Sequence, residues 1–360
     1  MKINGLNKKA EEALFSCLRE VPFLRLDMNA LPPMKNALQP DLCARLETDS
    51  QSVYLIGEIK NNGQPRYARQ AVNQLLRYLH DSSDGYGVFI APYISPRAAE
   101  ICQEANIGYI DFAGNCYFSF LKVFIHKEGY PNLYTEKRYL RSLFAPKAER
   151  ILRVLLVSGS RQWKVEELAA EANVSLGLVS NVKKLLTDRE WVAAQSNGFS
   201  LIQPFELLKE WSENYNFRRN RISEYYTMLS VSDFEYRLGK VCAKKNIRYG
   251  LTGFSGAARL APMVRYQQVM AYIQDDPSQL KPELEIKSVT SGANVMLFIP
   301  YDEGVLYGAK DVADQQVVSP VQVYLDLLGY RGRGEEAAES ILDGVIHKLW
   351  PKKEITRKMQ

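Results

Sequence analysis

Apolar residues recur along this chain with two spacings, and each change of spacing marks an element. Over 7–19 they fall at Ala10, Leu14 and Leu18, the four-residue step of one helix face, with Glu11 and Glu12 on other faces. Strand-like runs follow at 22–27, 41–47 and 53–60; in the second, Leu42, Ala44 and Leu46 alternate with Cys43 and Arg45. The loop Asn61-Asn62-Gly63-Gln64-Pro65 is made of turn formers and returns the chain as a helix over 67–78. A strand at 86–91, a helix at 96–105, a strand at 108–112 and an extended stretch at 116–125 complete a mixed α/β unit that ends near Lys137. Asp111 and Asn115 flank the turn before that stretch, and an Asx turn closed by Gly114 is favoured there over a ligand position.

From 146 onward the pattern changes. Ile151, Leu152, Val154, Leu155 and Leu156 predict a helix over 148–157, and Leu168 and Ala169 predict a second over 165–171. Ser175 is a good cap for a third over 176–189, which keeps Val179, Val182, Leu185 and Leu186 inside. Asn197-Gly198 between two short apolar runs is a strong hairpin signal. Three helices and a hairpin predict a winged helix-turn-helix over 146–203. Its third helix leaves Ser175, Gly177, Ser180, Asn181 and Lys184 outside near its N-terminal half. Small polar residues allow close approach to a major groove, and Asn181 suits an adenine edge. Lys183, Lys184, Arg161 and Lys164 suit phosphates, with Ser196 and Asn197 at the wing tip. The alternative is a winged helix used only for protein contacts or as a linker domain.

A further helix is predicted from 204 to 226, with Leu207, Leu208, Trp211 and Tyr215 inside and Arg218, Arg219 and Arg221 outside. The region 204–350 then reads as a third α/β domain. It has helices at 231–245, 320–328 and 335–349, and strands at 248–251, 268–273, 294–299 and 304–307. Gly253-Phe254-Ser255-Gly256 before a helix at 257–263 resembles the phosphate-binding turn of nucleotidyltransferases. Those enzymes need a carboxylate pair on the next strand, and here no acid occurs until Asp275. The expectation is a nucleotidyltransferase-like scaffold without the catalysis.

At 360 residues, 46% hydrophobic and 24% charged, the chain is a folded protein of two or three domains rather than a disordered one. No apolar run approaches a membrane span and no signal segment is evident, so a cytoplasmic protein with no membrane partner is expected. Five scattered cysteines without a C-x-x-C pair argue against a disulfide framework or structural zinc. His80, His126 and His347 lack partners at ligand spacing and read as structural or surface residues. The net charge of +5 is unevenly placed. Residues 137–222 hold fifteen Lys/Arg against nine Asp/Glu, and the tail 351–360 adds Lys352, Lys353, Arg357 and Lys358 against Glu354. A basic middle segment points to a polyanion partner there.

Catalytic chemistry is a candidate only near the N-terminus. Period-2 alternation sets Glu58 and Lys60 on one strand face, and a hairpin would bring Asp41 beside Glu58. Two carboxylates and an ammonium at a sheet end are how a divalent metal is held against a phosphodiester. Pro40-Asp41, Glu58-Ile59-Lys60 and the helix bearing Gln74, Leu75 and Tyr78 resemble the PD-(D/E)xK core of restriction-endonuclease-like proteins. That resemblance implies an endonuclease-like domain over 1–140. It gives Asp41 and Glu58 as Mg²⁺ ligands, Lys60 as the group stabilising phosphate charge or orienting water, and Gln74 as a supporting residue; Glu12 or Glu20 could serve as an accessory acid, but an exposed surface acid is favoured for either. The alternative is a turn carboxylate and a solvated pair.

A second resemblance covers 146–350. The winged helix, Leu251-Thr252-Gly253-Phe254-Ser255-Gly256-Ala257-Ala258 and the Val318-to-Leu327 helix are similar to AbiEi-type antitoxins. It implies a transcriptional autoregulator of a toxin–antitoxin operon, with double-stranded DNA and a toxin protein as partners and no cofactor; operators are commonly palindromic, so a homodimer is expected. Two functions thus stand: a DNA-binding regulator, which is favoured, and a Mg²⁺-dependent DNA endonuclease targeted by its winged helix.

Overall fold

The computed structural model of the chain describes residues 3–28, 40–48, 51–81, 84–133, 143–261, 266–330 and 332–350. The basic tail 351–360 lies outside them. The chain divides into two compact units, Met1–Leu140 with Leu186–Glu190, and Arg141–Leu185 with Trp191–Gln360. Among the described residues no helix is long and apolar enough to cross a membrane.

The first unit is a seven-stranded mixed sheet whose strands lie in sequence order. β1 (Arg25–Asp27), β2 (Leu42–Glu47) and β3 (Ser52–Ile59) are antiparallel; β3, β4 (Gly85–Ala91) and β5 (Gly108–Asp111) are parallel. β6 (Cys116–Phe120) and β7 (Val123–Lys127) add an antiparallel hairpin, so the stretch expected at 116–125 is two strands about a turn at Leu121-Lys122. Parallel neighbours need crossovers, and α2 (Pro65–Asp81) and α3 (Pro96–Glu104) supply them. α2 buries Ala68, Ala71, Val72, Leu75 and Tyr78 at helical spacing, in one core cluster with Ile101 and Cys102 of α3. α1 (Ile3–Leu18) covers the other cluster through Ala10, Leu14 and Leu18. Gly63 is required in the loop after β3, because a Cβ there would stand 2.0 Å from the Tyr93 carbonyl oxygen.

The second unit opens with α4 (Pro146–Val157), α5 (Val165–Glu171), α6 (Leu176–Asp188, of which the residues up to Leu185 belong to this unit) and the hairpin β8 (Val192–Gln195) and β9 (Gly198–Leu201). α7 (Pro204–Asn214) leads into a second seven-stranded mixed sheet of order β13-β10-β14-β12-β11-β16-β15. Its strands are β10 (Arg221–Tyr226), β11 (Tyr249–Leu251), β12 (Val269–Ile273), β13 (Lys287–Ser288), β14 (Val295–Ile299), β15 (Lys310–Val312) and β16 (Gln315–Val317). The helices are α8 (Val231–Lys245), α9 (Gly253–Leu260), α10 (Lys281–Leu284), α11 (Pro320–Leu327) and α12 (Arg333–Ile341).

Three local expectations are corrected here. The helix expected to reach Tyr226 ends at Asn214, and Arg221–Tyr226 is a strand held by antiparallel pairing with β14. Residues 304–307 are not a strand: Asp302 accepts from the Gly304 N–H at 2.8 Å and starts the 3₁₀ turn Glu303–Leu306. The Gly253-to-Gly256 stretch is the first turn of α9 rather than a loop before it, and Ser255 Oγ accepts from the Met270 N–H at 2.9 Å. The side chain the nucleotidyltransferase comparison would turn to a phosphate is spent on the neighbouring strand.

Candidate functional site

α6 is set up by its flanks. Asn173, at φ 51°, ends α5 in the left-handed region, and Val174 N–H returns to the Ala169 carbonyl. Ser175 Oγ then accepts from the Leu178 N–H at 3.3 Å and starts α6. Val179, Val182 and Leu186 are buried, while Ser175, Gly177, Ser180, Asn181 and Lys184 are all exposed. Leu176 is 53% exposed on the same first turn. It was not among the expected contacts, because a leucine in a helical pattern reads as core; its place between Ser175 and Gly177 was the available signal.

The hairpin is anchored behind this helix. Trp163 and Phe199 exchange backbone hydrogen bonds of 2.8 and 3.0 Å, and a Cβ on Gly198 would stand 2.3 Å from the Trp163 carbonyl oxygen. Ser196 and Asn197 are exposed at the tip, and Lys164 and Arg161 are exposed beside it, with the Arg161 guanidinium 3.9 Å above the Trp163 ring. Lys183 differs from its neighbours. It is half-buried, with its ammonium 4.9 Å from the Phe199 ring centre, on the hairpin side of α6.

α4, by contrast, turns Glu149 and Arg153 inward. Glu149 and Arg153 are fully buried, four residues apart on the helix. Arg153 donates to Gln322 Oε1 at 2.8 and 3.1 Å and to Tyr301 at 3.1 Å, and its guanidinium lies 4.9 Å over the Trp211 ring. Glu149 accepts from Arg219 at 2.8 Å and from the Tyr301 hydroxyl. Gln322 passes the network to Asp326, which also accepts from Thr252, Tyr215 and Tyr272 at 2.5, 2.8 and 3.0 Å. Burial pushes the Asp326 carboxyl up against the pull of these donors. Arg150 is spent on Asp302 and Glu303.

In the first unit, the pairing of Leu42 with Gly57 sets Asp41 level with Glu58. Asp41 is exposed, and its Oδ2 accepts from the Ile59 N–H at 2.9 Å. Glu58 is 2% exposed; its Oε2 accepts from Lys60 at 2.6 Å and its Oε1 from the Tyr78 hydroxyl at 3.1 Å. Burial raises the Glu58 carboxyl, Asp41 adds to that, and the Lys60 hydrogen bond opposes it. The Tyr78 hydroxyl is pushed up to about 12 by burial and by Glu58. Lys60 and Gln74 line an open cleft of about 500 Å³ together with Tyr67, Gln70 and Arg77. The strand, hairpin and helix therefore bring Asp41, Glu58, Lys60 and Gln74 to one end of the sheet. Among the described residues no group of three or more His, Cys, Asp or Glu is arranged to hold a metal ion. Of the proposed accessory acids, Glu20 pairs with Lys127 at 2.5 Å and Glu12 is an exposed surface acid. Asp111 makes the Asx turn: its Oδ1 accepts from the N–H groups of Ala113, Gly114 and Asn115.

Against known families, one comparison finds a match. Residues 200–347 match the family described as transcriptional regulator, AbiEi antitoxin, type IV toxin–antitoxin system. The matched range holds the second sheet and its helices, with Arg219, Tyr301, Gln322 and Asp326 of the buried network. It begins within β9, so α4–α6 and the first unit precede it, whereas the resemblance in the sequence was drawn from 146. No curated protein and no solved structure matches the chain. The family points to a regulator or antitoxin of a toxin–antitoxin system, and nothing in the comparisons supports a nuclease.

Proposed function

We propose that the protein is a DNA-binding transcriptional regulator that serves as the antitoxin of a type IV toxin–antitoxin system and represses its own operon. The observation that carries this reading is the uncovered N-terminal half of α6, standing directly before the matched segment. Read as a winged helix, α4–α6 and the hairpin present α6 to a major groove. Asn181 then meets a base edge, Ser175, Gly177 and Ser180 allow close approach, and Leu176 offers an apolar contact to a thymine methyl. Lys184, Lys164 and Arg161 meet phosphates, and Ser196 and Asn197 lie along the adjoining backbone. The partners are double-stranded DNA and a toxin protein, with no cofactor. The test is a gel shift at moderate salt with the duplex upstream of the protein's own coding sequence. Retardation that survives excess unrelated DNA is expected, and its absence overturns the reading.

A second reading is favoured by one observation, the convergence of Asp41, Glu58 and Lys60 beside the cleft that Gln74 lines. Asp41 and Glu58 are hard oxygen donors of the kind Mg²⁺ takes, and the ion when bound supplies Lewis-acid and charge stabilisation. Both Glu58 oxygens are engaged by Lys60 and Tyr78, so that ammonium must release one of them before the carboxylate serves a cation. Plasmid incubated with Mg²⁺ or Mn²⁺ tests this second reading. Cleavage that is lost in both Asp41→Ala and Lys60→Ala supports it, and an uncut plasmid with the unaltered protein retires it.

A further inference from the structure

The first sheet ends on β7, which pairs with no strand beyond β6 among the described residues. Phe120 and Val123 close the two-residue turn, and the closing pair of such a hairpin exchanges its backbone groups across the two strands. Alternation then turns the N–H and C=O of Val123, Ile125 and Lys127 toward β6, and those of Phe124 and His126 outward. The side chains divide the same way. Val123 and Ile125 sit on the core beneath α1, while Phe124, 69% exposed, and His126 lie on the other face. There the Tyr117 ring meets both edge-on, at 5.8 and 5.6 Å. Natural edge strands are usually guarded by a proline, a bulge or an inward-pointing charge; β7 has neither proline nor bulge, and its one such charge, Lys127, is paired with Glu20 just after α1.

The run Lys122-Val123-Phe124-Ile125-His126-Lys127-Glu128 is self-complementary when laid antiparallel on itself about Ile125. Lys122 of each copy then faces Glu128 of the other, Phe124 faces His126, and Ile125 faces Ile125. In this register the outward backbone groups of Phe124 and His126 meet their counterparts as hydrogen-bonded pairs. Centring on Phe124 would set Lys122 against His126, and centring on His126 would set Phe124 against Glu128; both lose the two ion pairs. Within one chain Glu128 already lies 3.5 Å from His126 on this face, so the acid points along the edge.

We infer that β7 is a dimerisation edge, where a second copy of this chain adds antiparallel about Ile125 and joins two seven-stranded sheets into one. Like charges placed opposite each other destabilise a strand pair. In the full-length chain without DNA, followed by sedimentation velocity, Lys122→Glu and Glu128→Lys should each weaken the dimer, by roughly tenfold in Kd. An equimolar mixture of the two variants sets opposite charges across both contacts and should recover the dimer, as should the double variant K122E/E128K. All these side chains are exposed, and unchanged melting curves for the variants confirm intact folds. An unaltered protein that stays monomeric to about 100 µM overturns the inference. So do reversals that leave the dimer unchanged, or a mixture that fails to recover it.

Discussion

α4 and α6 make an instructive pair. They are 12 and 13 residues long, belong to the same three-helix segment and carry basic residues on an amphipathic pattern. α4 spends both its arginines internally, Arg150 on Asp302 and Glu303, Arg153 on Gln322 and Tyr301 beside Glu149, and leaves only Lys147 exposed. α6 leaves Ser180, Asn181 and Lys184 to solvent. Charge counted along a sequence therefore overstates what a polyanion can meet. The basic excess over 137–222 includes Arg150, Arg153 and Arg219, and two of Arg150's acidic partners lie outside that window. On α6 and beside the hairpin, Lys184, Lys164 and Arg161 stay exposed.

The most severe way to break the comparison is Arg153→Ala. Removing one member of a buried ionic network strands the others, so a loss of about 3–5 kcal/mol in folding stability is expected. Thermal or denaturant melts measure it, and a loss below about 1 kcal/mol, the scale of a surface pair, would place Arg153 with the exposed cations.

Lys184→Ala should leave the melt unchanged and lower the salt dependence of DNA affinity by about one ion, the signature of a single phosphate contact. Binding measured across a salt series reads this slope, and an unaltered slope removes Lys184 from the interface.

The smallest effect concerns the first unit, where Glu58 and Lys60 are likewise spent on each other. The native Glu58 carboxyl is raised by burial, so it holds its proton to higher pH than in the unfolded chain. Its contribution to stability is full below the unfolded value and is lost as pH rises through the raised one. Glu58→Gln cannot titrate. It should therefore gain on the unaltered protein in melting temperature as pH rises above about 4, the unfolded glutamate value. A gap that stays constant over that range contradicts the raised carboxyl.

Much of this architecture was legible in the sequence where local chemistry agrees with tertiary packing. Ser175, the helical spacing of Val179 and Val182, and Asn197-Gly198 located α6 and the hairpin. Asp41, Glu58 and Lys60 were legible as a group because strand alternation and hairpin register bring them together, whereas Gln74, on α2, entered only through the endonuclease-like resemblance. β10 was hidden because Leu207, Leu208, Trp211 and Tyr215 carry helical spacing up to its start, and only pairing with β14 makes Arg221–Tyr226 a strand. The β15–β16 hairpin was hidden by its polar strands; its turn, Ala313-Asp314, takes positive φ without glycine. Least legible was the burial of Glu149 and Arg153. A charged pair on an amphipathic helix reads as a solvated face, and the groups that satisfy Arg153, Tyr301 and Gln322, lie 148 and 169 residues away in sequence.

The central claim is that the uncovered side of α6 reads a duplex. Fluorescence anisotropy with the duplex from the protein's own promoter, comparing the unaltered chain with the double variant Asn181→Ala, Lys184→Ala, tests it most directly. A loss of about 1–3 kcal/mol from the base contact, with further loss at low salt and an unchanged melting curve, is the predicted result. Equal affinity of the two proteins for that duplex would contradict it.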